Sequence, residues 1–389
     1  MKKFLRFGGV LFWTVLIVNS AAGAAAMSKG TAAKFDRLIE EAGALEKRND
    51  FKGAEAKMTA AIALAPEEPS AYYNRARFRS QAGLLEGAEE DINTYLRLNA
   101  GDLDGFELRA LIRFKRNNLA GALEDANAAL RTGDTREGAR LVRAHALRAH
   151  GRYKEALKDY ERLAGTRVDG DEVRAARAEC ELSLGDYSSA KLKLKALATH
   201  HPENGWAHYM LGRAQFGLQE FEAAIASHRR ARELKMDEVE MLKWIGYSQF
   251  AQGKDAEAIA TFKEAIAARP AVSPFAYLVM HAAIRRAGRS VSESPLRDVI
   301  DGWDSGWTQA LGRYLLGTLS DRELVKQAKA TKDQEERDGK LCEAYYYIGA
   351  TRLVEMDIVA GEVFFERVLG TRSSTFVEYT LARAELRRL

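Results

Sequence analysis

The chain has 389 residues, 47% of them hydrophobic and 29% charged, with six prolines and a formal net charge of +4. That much apolar surface excludes a disordered chain. So small a net charge carries no signature of nucleic-acid binding. Few prolines beside abundant Ala, Leu, Arg, Glu and Lys predict helices almost throughout.

The first residues read separately from the rest. Lys2, Lys3 and Arg6 precede the apolar stretch VLFWTVLIV from Val10 to Val18, and the small residues of AAGAAA follow from Ala21 to Ala26. This is the layout of a secretory signal peptide over residues 1–26, cut after Ala24 or Ala26. The alternative, an uncleaved membrane anchor, requires a longer apolar run. A lipoprotein requires a Cys just after that run, whereas the first cysteine is Cys180. The expectation is an exported chain, periplasmic or envelope-associated, with no stable transmembrane domain after cleavage and no lipid anchor. Loss of Lys2, Lys3 and Arg6 takes the charge from +4 to about +1. The other cysteine, Cys342, is 162 residues from Cys180, and two unpaired helix cysteines are expected.

From Phe35 onward the chain repeats. In GKDAEAIATFKEAIAARP (Gly253 to Pro270), a Gly opens a helical run, Ala258 sits inside it and a Pro closes it. Stepping back from Ala258 by thirty-four residues meets Ala224, Ala190, Ala156, Ala122, Ala88 and Ala54 without a break. An aromatic or Leu stands three residues before each of the first six alanines, from Phe51 to Phe221, and Gly83, Gly151, Gly185 and Gly253 stand five before theirs. A second small residue stands twelve before, at Ala42, Ala76, Ala110, Ala144, Ala178, Gly212 and Gly246. Small residues suit a close crossing of two helices, Gly suits a tight turn at positive φ, and Pro66, Pro202 and Pro270 suit a stop.

Period and residue classes resemble the tetratricopeptide repeat, a helix, a turn and an antiparallel helix. The resemblance implies seven units over residues 35–272. The implied fold is all-α, a solenoid of helical hairpins wound as a right-handed superhelix, with a divergent helical carboxy-terminal cap.

The pattern weakens after Pro270. Residues 273–340 read as a degenerate repeat and an irregular helical segment. PFAYLVMHAAIRRAGR (Pro274 to Arg289) looks like the first helix of an eighth unit, and the next stretch carries Pro295, Trp303, Trp307 and several glycines. TKDQEERDGK (Thr331 to Lys340) reads as a solvated turn or frayed helix end. Residues 341–389 read as a terminal hairpin, with Gly349, Gly361 and Phe365 at crossing and core positions, and a capping helix STFVEYTLARAELRRL.

WTQALGRYLLG (Trp307 to Gly317), LCEAYYYIG (Leu341 to Gly349) and FVEYTLARAEL (Phe376 to Leu386) together resemble the ending of secreted bacterial tetratricopeptide proteins of the NlpI-like type. The resemblance covers roughly the last ninety residues. It implies an envelope adaptor whose protein or peptide partners include proteases and cell-wall hydrolases. The lipid-attachment Cys of that family is missing here and the repeat array is longer.

No Gly-rich phosphate loop, H-E-x-x-H or G-x-S-x-G motif occurs. His200, His201 and His208 fall at an inter-repeat turn and on the next helix, which reads as structural rather than as a metal site. No cofactor, metal or catalytic residue is expected, and the chain is read as a binding protein, not an enzyme. The binding surface expected from helical spacing is the inward face of the first helices: Trp206, Tyr209, Arg213 and Phe216, then Lys243, Tyr247 and Phe250, then Tyr277 and His281. Earlier units place Tyr73, Arg77, Glu107, Leu111, Phe114, Leu141, His145 and Arg148 there. Rings with interspersed cations suit an extended peptide or a partner helix. The alternative is that these rings fill a narrow superhelix and touch only each other. Among binding roles, the alternative to an adaptor is an export or outer-membrane assembly module.

Overall fold

The computed structural model describes residues 28–389 apart from Thr132, Asp134, Val272, Asp304 and Ser305. The leader expected over residues 1–26 lies outside the described residues. Among the described residues the regular elements are helices, with no strand. The chain forms two compact units that meet in sequence between Cys180 and Glu181.

The first unit contains α1 (Lys29–Glu46), α2 (Phe51–Leu64), α3 (Pro69–Ala82), α4 (Leu85–Leu98), α5 (Leu103–Lys115), α6 (Leu119–Ala129), α7 (Glu137–Ala149), α8 (Tyr153–Arg162) and most of α9 (Asp171–Ser183). Successive helices pack as antiparallel hairpins, α1 on α2 through α7 on α8. At the crossings, Ala54, Ala88, Ala122 and Ala156 are fully buried, as are Ala76, Ala110 and Ala144, because a larger side chain would hold the two backbones apart.

The turn between the helices uses a left-handed residue each time, Asn49, Gly83, Asn117 and Gly151, at φ 58°, 80°, 63° and 75°. Asn is the residue after Gly that tolerates this conformation best. Many second helices then start under an Asp or Asn cap, such as Asp50 accepting from the Gly53 amide at 2.9 Å.

A polar ladder with the same period runs beside the alanines. Arg75 grips Asp91 through two hydrogen bonds of 2.8 and 2.6 Å, Arg109 grips Asp125 at 2.9 and 2.8 Å, and Arg143 grips Asp159 at 2.7 Å twice. The remaining guanidinium nitrogen reaches the preceding second helix, at Thr59, Asn93 and Asn127 respectively. Each arginine therefore joins its own hairpin to the one before. The three aspartates are buried, so their forked arginine partners are what make that burial tolerable.

The second unit continues with α10 (Tyr187–His200), α11 (Gly205–Gly217), α12 (Phe221–Glu233), α13 (Glu238–Ala251), α14 (Asp255–Ala268), α15 (Pro274–Arg286), α16 (Leu296–Val299), α17 (Gly306–Leu315), α18 (Asp321–Lys329), α19 (Gln334–Val354), α20 (Ile358–Gly370) and α21 (Val377–Leu386). Here the polar tie is neutral: Gln215 with Ser227 at 2.7 Å and Gln249 with Thr261 at 2.8 Å occupy the positions of Arg79 with Asp91 and Arg113 with Asp125. Between these two sets the tie is reversed in sign, Lys193 with Glu181 at 2.7 Å.

At two first-helix crossings of this unit Gly stands in place of Ala with a ring facing it. A Cβ on Gly212 would lie 2.6 Å from His228, and one on Gly246 would lie 2.8 Å from Phe262. The terminal hairpin α19–α20 repeats this device, with Gly349 against Phe365. The charged stretch 331–340 differs from the expectation of a turn or frayed end. Asp333 caps α19 by accepting from the Glu336 amide at 2.8 Å, so most of the stretch forms the first two turns of a continuous 21-residue helix.

Gly246→Ala should lower stability by about 1–3 kcal/mol through overpacking against Phe262. Adding Phe262→Leu, which makes room for the new methyl, should recover much of that loss in thermal melts.

Candidate functional site

Of the nine residues expected on the inward face, the second unit places Trp206, Tyr209, Arg213 and Lys243 half-exposed and the other five in its core. Phe216 lies edge-on to Phe221 and Trp244, with centroids 5.7 and 5.4 Å away. Tyr247 packs on Phe262, and Phe250 lies 3.8 Å under the Arg286 guanidinium. Tyr277 donates to the Pro270 carbonyl at 2.7 Å. His281 shares a 3.0 Å hydrogen bond with Ser294 through Nδ1, and burial pushes its imidazole down to about 4, so it is neutral at physiological pH. It borders a cavity of about 420 Å³ together with Arg285, Arg297, Tyr314, Thr351 and Arg352.

Glu240 and Trp244 were not among the residues expected from the sequence. The Glu240 carboxylate collects Trp244 Nε1 at 2.9 Å, Lys243 at 2.8 Å and Tyr209 at 3.4 Å. The last contact exemplifies a second spacing, because residues thirty-one apart meet across neighbouring first helices. Arg77 pairs with Glu46, Arg148 with Glu179 at 2.7 Å, and Tyr347 with Glu378 at 3.2 Å. A first-helix residue and its counterpart three short of a full repeat face one another.

Most inward-facing charge is consumed by such ties. Glu107 is paired with Arg136, and burial still pushes its carboxyl up to about 7. His145 is held to the Tyr160 hydroxyl at 2.7 Å and pushed down to about 3 by burial, with Arg148 adding to the shift. Tyr73, Leu111 and Leu141 are buried, and Phe114 stacks on His145.

Arg213 differs. It makes no ion pair or hydrogen bond among the described residues, and its Nε is buried without a partner. Thirty-one residues on, where other pairs have an acid, stands Trp244. The guanidinium instead lies 5.4 Å from the Trp244 ring and 5.9 Å from the Tyr209 ring. Cation–π contact holds the charge in place and supplies no hydrogen-bond acceptor to its N–H groups.

The cleft at Arg213 is narrow because the end of the chain lies on it. Tyr187, Phe216, Gly217, Trp244, Phe376 and Thr380 wall it to about 20 Å³, room for roughly one water molecule. The carboxy-terminal segment is held at several points. Tyr187 donates to the Ser374 carbonyl at 2.6 Å, Gln219 to that of Thr380 at 3.3 Å, Arg383 to that of Gly217 at 3.3 Å, and Arg388 to that of Ala251 at 2.9 Å. Gln219 stands at the left-handed turn position, φ 64°, where other repeats have Gly or Asn.

A sequence profile of the tetratricopeptide repeat matches residues 39–102, 141–205, 176–239 and 209–273, about half of the chain. The chain belongs to the tetratricopeptide repeat family. No curated protein matches it. Among solved structures it is similar to a tetratricopeptide repeat protein from Parabacteroides merdae, at 17% identity over 65% of this chain and 99% of that one, with a TM-score of 0.44. It is also similar to the C-terminal part of a tetratricopeptide repeat-containing protein from Cytophaga hutchinsonii, at 18% identity, 62% and 99% coverage and a TM-score of 0.47. A third is pilF of Pseudomonas aeruginosa, at 14% identity, 55% and 97% coverage and a TM-score of 0.47.

Tetratricopeptide repeat proteins are in general scaffolds for protein interaction. Among the described residues no group of His, Cys, Asp and Glu could hold a metal ion, and no helix is long and apolar enough to cross a membrane. Cys180 and Cys342 are both buried and are not joined in a disulfide.

Under the terminal helix of this tetratricopeptide chain lies a buried acid pair. Burial and the neighbouring Glu378 charge hold the Glu343 carboxyl well above the ordinary range, and burial pushes Glu378 up to about 7. A carboxyl whose pKa is raised by folding binds its proton more tightly in the folded state. Its contribution is complete below its ordinary value near 4.5 and is lost as pH rises toward 7. Between pH 5 and pH 8 the wild type should therefore lose on the order of 2 kcal/mol relative to Glu378→Gln, which cannot ionise. Thermal melts of the two proteins at both pH values check this, and parallel pH profiles would contradict it.

Proposed function

We propose that this chain is an exported protein-interaction adaptor of the bacterial cell envelope, and that the face formed by Trp206, Tyr209, Arg213, Lys243 and Trp244 takes an extended peptide or helix by its carboxylates. The observation that carries the reading is the state of Arg213. The inward-facing charges of Arg77, Glu107, Arg148 and Lys243 each meet an opposite charge, whereas Arg213 is oriented by two rings and its Nε has no hydrogen-bond partner. Tyr209 and Trp206 supply rigid apolar surface on the same helix, and Lys243 on α13, paired with Glu240, borders the face. Export is supported by the basic, apolar and small-residue order of residues 1–26. The NlpI-like ending supports a partner set of envelope proteases and cell-wall hydrolases.

Arg213→Glu combined with Tyr209→Ala tests the reading. Affinity purification from envelope extract followed by mass spectrometry should show the principal partner reduced about tenfold, which corresponds to about 1.4 kcal/mol. Recovery of a protease with hydrolases matches the adaptor role. An unchanged partner set, from a variant that melts like the wild type, would refute the assignment of this face.

A further inference from the structure

Residues 374–388 are seated on the second unit in a manner unlike its other helices. Along α21 the one large apolar side chain that is fully buried is Leu381, while Val377, Tyr379 and Leu386 are half-exposed, as is Phe376 just before it. Much of the hold is polar and falls at the ends of successive first helices. Arg383 reaches the end of α11 at Gly217, and Arg388 reaches the end of α13 at Ala251. Glu385 pairs with Arg286 at the end of α15. The groups that receive the helix are mainly backbone carbonyls, which accept from Arg383 and Arg388, and one arginine, Arg286, which donates to Glu385; they stay in place when α21 is absent from them.

Set against this hold are groups that the docked helix leaves poorly satisfied. Glu378 is buried with the Tyr347 hydroxyl at 3.2 Å as its side-chain partner and with Glu343 nearby. Gln219 Oε1 and Tyr346 Oη are buried with no hydrogen bond. Each uncompensated buried polar group lowers the stability of the docked state. The connection from α20 adds a non-glycine left-handed residue, Arg372 at φ 59°. A ten-residue terminal helix with one large aliphatic anchor and several such costs opens at lower free energy than the repeats beneath it. Opening also uncovers the cleft at Arg213, since Phe376 and Thr380 form one wall of it.

We propose that the seat of residues 374–388 is an exchangeable helix-docking surface, taken in trans by an amphipathic helix of a partner protein that repeats the α21 pattern. The pattern is an aliphatic anchor at the place of Leu381, arginines at the places of Arg383 and Arg388, and a carboxylate facing Arg286 at the place of Glu385. A partner helix with a neutral residue at the place of Glu378 avoids the acid pair and displaces α21 on that account. This rests on the adaptor reading and names the kind of partner that the same face accepts.

Two measurements test it. In the full wild-type chain, the amides of α21 should exchange with deuterium about 100-fold faster than those of α13. Equal protection of the two helices would overturn the proposal. Next, a labelled synthetic peptide of residues 373–389 is titrated by anisotropy against the wild type and against Leu381→Asp with Arg383→Glu, which dislodges the resident helix. Binding about tenfold tighter to the variant, and tighter again for the peptide carrying Glu378→Gln, is expected. If that variant does not fold, the same peptide in excess over wild type should speed exchange of the resident α21, and no effect overturns the proposal. Concentration-dependent dimers that exchange α21 between copies would overturn the choice of a separate partner. Neither measurement involves an envelope partner, so a negative pull-down at Arg213 and a non-exchangeable seat give different results.

Discussion

The rest of the structure depends on one contact, the close crossing of two helices over buried small residues that recurs every thirty-four positions. Ala54, Ala88, Ala122, Ala156, Ala190, Ala224 and Ala258 are all fully buried. With the backbones that near, the rotation of each helix is set, and with it the choice of which side chains face inward. The same constraint explains the exchange of Ala for Gly against a ring at Gly212 and Gly246, because there the space under the crossing is taken by the partner side chain. Polar ties at fixed offsets from the crossing then lock the hairpins, as Arg–Asp forks in the first unit and as Gln–Ser or Gln–Thr pairs in the second.

Inward-facing charge follows from that geometry. First helices one repeat apart bring residues thirty-one apart together, and chains of acids and bases at that spacing neutralise each other: Glu46 with Arg77, Arg148 with Glu179. Where the spacing offers Trp244 in place of an acid, Arg213 keeps its charge unmatched. The terminal helix closes over this place without supplying a carboxylate to it, and instead buries its own Glu378 beside Glu343. The electrostatic mismatch of the second unit is thus concentrated where its last helix meets its first helices.

The repeat was legible in the sequence because its determinants are local: small residues at the crossing, Gly at the turn, Pro at the stop. Asn49, Asn117 and Gln219 fill the same left-handed turn position and escape a search for Gly alone. The Arg–Asp ladder has the same period and is equally visible in the residues, yet a reading guided by apolar positions passes over Arg75, Arg109 and Arg143. The inward positions of α11, α13 and α15 were legible as a face but not as an exposed one. Phe216, Tyr247, Phe250, Tyr277 and His281 are buried in a core to which α17, α19 and α21 contribute, and those helices return after an irregular segment whose folding no helical period encodes. Trp244 and Glu240 acquire meaning from the thirty-one-residue relation, which appears only once two neighbouring helices are placed side by side.

If the proposed face is the binding surface, partner contact falls at Arg213 and not at Tyr73 and Arg77, whose charge is matched by Glu46. Photo-crosslinking from a benzoylphenylalanine at position 209, compared with one at position 73, measures this directly in the presence of envelope extract. Adducts are expected from position 209, beside Arg213, and none from position 73, whose neighbour Arg77 is bound to Glu46. Equal adducts from the two positions, or adducts from position 73 alone, would contradict it.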